Sequence, residues 1–160
     1  MPPDFAQDSS AIDAALLQRL GSDPQLLALM PNGVHFGLAP PKSTAYVLVS
    51  LITADDTTGL GGRFFETVNY LVKAVERTAG SQQNVRAAAQ RIDALLEHQQ
   101  LTIDGYGCLE VRRVHRIRYP ETDERDTSIR WDHRGGQYEV MTAPADAPGG
   151  GGKKPKPAST

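Results

Sequence analysis

The spacing of apolar positions changes several times along the chain, and each change marks an element. Ile12, Leu16, Leu17 and Leu20 recur at helical spacing behind Ser9 and Ser10, which can cap the first turn, and Gly21 suits a left-handed stop. Asp23-Pro24 repeats the cap-and-first-turn signature ahead of a short helix over Gln25 to Met30, which Pro31-Asn32-Gly33 ends as a turn. Val34 to Gly37 predicts a brief strand, Ala39-Pro40-Pro41 forbids regular pairing, and the β-branched run Ala45 to Thr53 predicts a buried, central strand. Ala54 to Gly62 (ADDTTGLGG) collects acidic, hydroxyl and glycine residues, as an exposed loop does. From Arg63 to Thr78, Phe64, Val68, Tyr70, Val72 and Ala74 share one parity and Thr67, Asn69, Lys73 and Arg77 the other, the pattern of a long half-exposed strand.

Behind Ser81, a predicted cap, Val85, Ala88, Ala89, Ile92, Leu95 and Leu96 trace one helical stripe, with Arg86, Gln90, Asp93 and Glu97 opposite. Cys108 to Tyr119 (CLEVRRVHRIRY) alternates as a strand with one wet face, and Pro120 is expected to stop it. Glu121 to Asp126 predicts a charged loop. Ile129 and Trp131 resume an apolar parity, Gly135-Gly136 should break it, and Gln137 to Met141 finish as a strand. The order α, α, β, β, β, α, β, β predicts an α+β domain over residues 1–142, with helices packed on one face of a mainly antiparallel sheet. From Ala143 to Thr160 the sequence (APADAPGGGGKKPKPAST) has no large apolar side chain and predicts a flexible, Gly/Pro/Lys-rich tail, either a solubilising extension or a weak electrostatic tether.

Composition narrows the function classes. At 160 residues one hydrophobic core is expected, and a net charge of −2 excludes a surface that is basic throughout. Acidic Asp4 and Asp8 with no apolar run behind them argue against a secretory signal, and no apolar stretch is long enough for a membrane span. The single cysteine, Cys108, can form neither an internal disulfide nor a multi-thiolate metal site.

Catalytic and cofactor patterns are missing. Gly59-Leu60-Gly61-Gly62 continues into Arg63-Phe64 where a phosphate-cradling loop needs Lys and a hydroxyl, and no G-x-S-x-G elbow occurs. His35, His98, His115 and His133 lack metal-ligand spacing, and Asp55-Asp56 and Asp123-Glu124 fall in polar segments where carboxylates serve solvation. No cofactor, metal or catalytic residue is therefore assigned. One concentration of charge remains: Arg112, Arg113, His115, Arg116 and Arg118 crowd into seven residues. Regular alternation would put Arg112, Arg116 and Arg118 on one face and Arg113 and His115 on the other with Val111 and Ile117. Three uses fit: a solvated face paired with Glu110 and Glu139 across strands, docking on acidic loops of a neighbouring subunit, and phosphate contact.

The layout as a whole, ALLQRLGSDPQLLALMPNGVHFGLAPPKSTAYVLVSL, a long strand, the AAAQRIDALLEHQQL helix and a basic strand leading through RYPETDERDTSIRWDHRGGQYEVM, resembles the tail completion, or tail terminator, proteins of long-tailed bacteriophages over roughly residues 9–142. The resemblance implies a curved sheet with helices on one side. It implies a structural virion protein, with no enzyme activity, forming a homo-oligomeric ring, typically a hexamer, that caps the tail tube. Its partners would be further copies of itself, the major tail tube protein and the head–tail connector or stopper; DNA would pass through the ring without sequence-specific binding, and no membrane is involved. The protein would assemble in the host cytoplasm and reside in the virion. In such a ring Arg112, Arg113, Arg116 and Arg118 would be subunit-interface residues, Arg113 and Arg116 meeting acidic Asp55-Asp56 or Glu121, Asp123 and Glu124 of the adjacent copy. The Ala54 to Gly62 segment, with Asp55, Thr57, Leu60 and Arg63, would contact tube or connector. A neck stopper or head–tail adaptor is an alternative, and a small nucleic-acid-binding protein using the Arg112–Arg118 strand is a more distant one.

Overall fold

A computed structural model describes residues 10–60, 62–78 and 80–145. Three helices, α1 (Ser10–Gly21), α2 (Pro24–Leu29) and α3 (Gln83–Leu96), accompany five strands: β1 (Val34–Phe36), β2 (Ala45–Gly59), β3 (Gly62–Thr78), β4 (Tyr106–Thr122) and β5 (Arg130–Pro144). The strands form one sheet in the order β1-β2-β3-β5-β4, in which only the β1–β2 pair is parallel. The predicted α+β class is therefore correct.

Two tyrosines place the helices. Tyr70 of β3 and Tyr138 of β5 are register partners and so point to the same side of the sheet. The Tyr70 hydroxyl donates to Asp13 of α1 at 2.5 Å and that of Tyr138 to Asp93 of α3 at 3.1 Å, so both helices cover that face. Between them lies the core: Val47, Val49, Val68, Val72 and Val140 from the sheet against Ile12, Leu16, Leu26, Val85, Ile92 and Leu96 from the helices. Burying side chains of this size contributes about 1.5–3 kcal/mol each, which fixes strand register because a one-residue slip would turn every one of them outward. The helix-free face is covered by its own aromatic rings. Tyr119 stacks on His133, Tyr46 meets Trp131 edge-on, and Lys73 Nζ donates to the Tyr119 hydroxyl at 2.7 Å.

Asp23 caps α2 as its Asp-Pro signature predicts. Its carboxylate accepts from the Leu26 amide at 2.8 Å and is gripped by Arg91 of α3 at 2.5 and 2.9 Å, which ties the two helices together. Ser81 does not cap α3; Gln82 holds that position, and the Ser81 hydroxyl is 3.4 Å from the Gln83 amide.

Further expectations are corrected. Ala54 to Gly62 is no loop: β2 pairs with β3 as far as Gly59 opposite Gly62, because ladder bonds are made by backbone and need no apolar side chain where both faces are wet. The turn closes with Gly62 at φ 134°, a conformation natural to glycine. The central strand is β3, since β2 has only three-residue β1 beyond it. Pro120 does not end β4, which is an edge strand and tolerates a residue without an N–H; Glu121, placed in a loop, also lies within it. Gly135-Gly136 does not interrupt β5, which runs unbroken to Pro144 and takes in two residues of the expected tail. Ala145 follows it in a turn, and residues 146–160 of that tail and the first nine residues lie outside the described residues.

Candidate functional site

The basic strand is rephased by a bulge. Val111 lies opposite Val140 and Arg113 opposite Tyr138, both on the helix face; the register then shifts between Arg113 and His115, so Val114 is the extra residue. After the shift Arg116 lies opposite Gly136 and Arg118 opposite Arg134. Arg113, Arg116 and Arg118 consequently share the helix face, and Arg112 is on the other side with His115 and Ile117. This overturns the grouping that regular alternation predicts, because one inserted residue exchanges the faces of everything beyond it. Arg112 is bonded across the sheet to Glu139 at 2.6 Å, the strand pairing foreseen for a solvated face.

On the helix side, Arg113, Arg116 and Arg118 meet Arg86 of α3 and Arg134 of β5 around an open groove of about 430 Å³. Asp93 is its one acidic wall residue, and Ala89 and Tyr138 supply apolar surface. Arg113 is bound to Asp93; its burial opposes the charge, but the carboxylate outweighs it and holds the guanidinium above its ordinary range. Arg134 donates to Gln82 at 3.0 Å, and burial together with neighbouring Arg118 and Arg86 pushes its ionisation down. Arg86, Arg116 and Arg118 are exposed and form no ion pair among the described residues. The guanidinium planes of such a site suit carboxylates or phosphates.

Sequence reasoning missed Arg86 and Arg134 as members of this groove. Arg86 was visible as the polar face of α3, but nothing in the sequence says that this face overhangs a strand. Arg134 was separated from Tyr138 by the glycines that read as a break.

The acidic candidates lie elsewhere. Asp55 is exposed on β2 with no ion-pair partner among the described residues, while Asp56 is paired with Arg63 at 2.6 Å within the same hairpin. Thr57 and Leu60 lie beyond them, the Leu60 side chain wholly in solvent. Glu121 approaches His133 Nε2 at 3.0 Å. Asp123 accepts from the Arg125 and Asp126 amides at 2.8 and 3.3 Å, so it serves the turn, and Glu124 is exposed. The structure thus does not bring the candidate acids to the candidate arginines within one copy.

No cluster of metal-ligating side chains occurs among the described residues, and Cys108 is half-buried in β4. His133 is buried on Tyr119, and burial followed by the charge of Lys73 lowers its proton affinity. No described helix is long and apolar enough to cross a membrane.

No protein-family model matches the sequence, and no curated protein matches it. Solved structures do. A chain from the virion of a native gene transfer agent particle aligns with TM-score 0.62 at 21% identity, over 85% of this chain and 98% of that one. A second solved chain aligns with TM-score 0.56 at 19% identity, over 84% and 96% respectively. At these identities the likeness shows a shared fold, and it extends across almost the whole of both neighbours.

Proposed function

We propose that this chain is a structural protein of a phage-type virion and, within it, the tail terminator: a ring of copies that closes the tail tube and joins it to the head connector. The observation that carries the proposal is the match in fold, over 85% of this chain, to a chain of a gene transfer agent virion, covering 98% of that chain. The surface supports it. One chain presents a basic groove and a protruding acidic hairpin, two different patches of the kind that heterologous contacts join into rings. The role is assembly, with no reaction catalysed.

Electron microscopy of the purified protein tests the proposal, together with pull-down of the neighbouring virion proteins. Closed rings that retain the tail tube protein are expected. Retention of the portal adaptor alone would assign the chain to the neck as a stopper, and turnover of a small molecule by a monomer would overturn the structural role.

A further inference from the structure

The sheet leaves two long stretches of strand edge unpaired, and they carry opposite charge. On one side, β1 covers β2 only from Val47 to Val49, so the edge from Ser50 to Gly59 has no strand beside it among the described residues. This stretch holds Asp55 and Asp56 and leads into an arm, Thr57 to Phe65, that projects past the last β3–β5 pair at Glu66 and Thr142. On the other side, β4 is the outer strand. Its edge is occupied where the His98 amide donates to the Val111 carbonyl at 2.8 Å and the Arg113 amide donates to the Glu97 carboxylate. From His115 to Thr122 no backbone partner lies outside it among the described residues. That open stretch runs along the arginine groove.

Charge is distributed to match. Five arginines against Asp93 leave the groove at +4, and since the whole chain is −2, everything else sums to −6. Two basic β4 edges repel one another, which disfavours symmetric pairing and selects an acidic partner strand. The arm cannot serve its own groove. Arg118 lies level with Arg134 and Ala74, twelve residues along β3 from Gly62, a separation of about 40 Å within a fixed sheet.

We propose that the open β4 edge and its arginine groove receive the β2 edge and β2–β3 arm of a second copy, extending the sheet head to tail from one subunit to the next. Asp56, which shares the helix face with Glu66, then approaches Arg116, Arg118 and Arg86, Asp55 on the opposite face comes to the side of His115, and the exposed Leu60 and Phe65 find cover. Backbone ladder bonds supply the register, and the charge pairs supply the choice of edge. Each copy offers one edge of each kind, so the contact propagates until the rotation closes it. The inference rests on the self-association part of the proposed function and names the surfaces that perform it.

Two charge-reversed variants test it, with oligomeric state read by light scattering at low and high salt. Arg116→Glu/Arg118→Glu and Asp55→Arg/Asp56→Arg change exposed positions away from the core, and circular dichroism checks that each folds. The wild type is expected to oligomerise; each variant alone is expected to associate at least tenfold more weakly, and an equimolar mixture of the two to regain assembly. Oligomers of either variant as stable as the wild type would overturn the contact, as would a mixture that stays monomeric. Retention of a labelled DNA duplex at low salt, abolished by the groove variant, would instead assign the groove to phosphate. A wild type that never self-associates also overturns this contact, while ring formation on added tail tubes separately decides the virion proposal.

Discussion

A Cβ atom on Gly136 would stand 2.9 Å from Cδ of Arg113 and equally close to the His115 carbonyl oxygen. The glycine is thus the gap through which the Arg113 side chain crosses β5 to reach Asp93 on α3. Gly136→Ala should displace that side chain and strain the bulge, costing about 1–3 kcal/mol. Urea denaturation of the two proteins measures it, and an unchanged midpoint would show that the strand yields without cost.

The two adjacent arginines should behave differently. Arg112 spans an exposed ion pair with Glu139, a contact worth roughly 0–1 kcal/mol, so Arg112→Ala should barely move the melting temperature. Arg113 is more enclosed, and Asp93, its partner, also accepts the hydroxyl of buried Tyr138. Arg113→Ala should therefore destabilise more than Arg112→Ala, with the loss reduced in Asp93→Asn, where no carboxylate remains to be stranded. A double-mutant cycle checks this order.

The amphipathic stripes of α1 and α3 and the alternation in β3 were legible because burial on one face imposes a period. Asp23-Pro24 was legible because a cap is a local hydrogen bond. The β2–β3 arm was not, since its ladder is made by backbone and its side chains report only exposure. Gly135 and Gly136 misled for a related reason. A Cβ at Gly135 would lie 2.0 Å from the Val72 carbonyl, so these glycines mark close approach inside a sheet, a fact about neighbours far away in sequence. The bulge at Val114 has no sequence mark, and without it the faces of Arg112, Arg116 and Arg118 cannot be assigned correctly. Recognising the groove also required knowing that Arg86 of the helix stands over Arg118 and Arg134 of the strands.

Asp23 links a cap to an interhelical ion pair, so Asp23→Ala should cost about 2 kcal/mol at neutral pH, the upper range for removal of a cap. The Arg91 hydrogen bonds hold the Asp23 carboxyl below its usual 3.8, with the Leu26 amide adding to the effect against burial. For a lowered carboxyl, stability is present above the unfolded value and lost as pH falls through the folded one. The gap between wild type and Asp23→Ala should therefore close at pH values below 3.8. A gap that persisted in acid would mean that the side chain acts through packing alone.

Glu66 should show the opposite sign. It is 3% exposed on the helix face, its Oε2 has no hydrogen-bond partner, and Arg63 is 3.9 Å away. Burial raises its proton affinity above the usual 4.5, and a hydrogen bond from Tyr106 only partly offsets this. Tyr106 is itself pushed up to about 12, by burial and then by the same hydrogen bond. The folded protein thus binds a proton at Glu66 that the unfolded chain has already released, so this site favours folding below pH 4.5 and the benefit is lost as pH rises through the folded value. Glu66→Gln keeps an acceptor for Tyr106 without the charge. It should be more stable than the wild type at pH 7 by about 1 kcal/mol, the scale of relieving one unsatisfied buried oxygen, and the advantage should shrink toward pH 4. Because other carboxylates titrate equally in both proteins, the pH dependence of the difference isolates this one. A difference that is the same at both pH values would locate the effect in packing and acquit the buried charge.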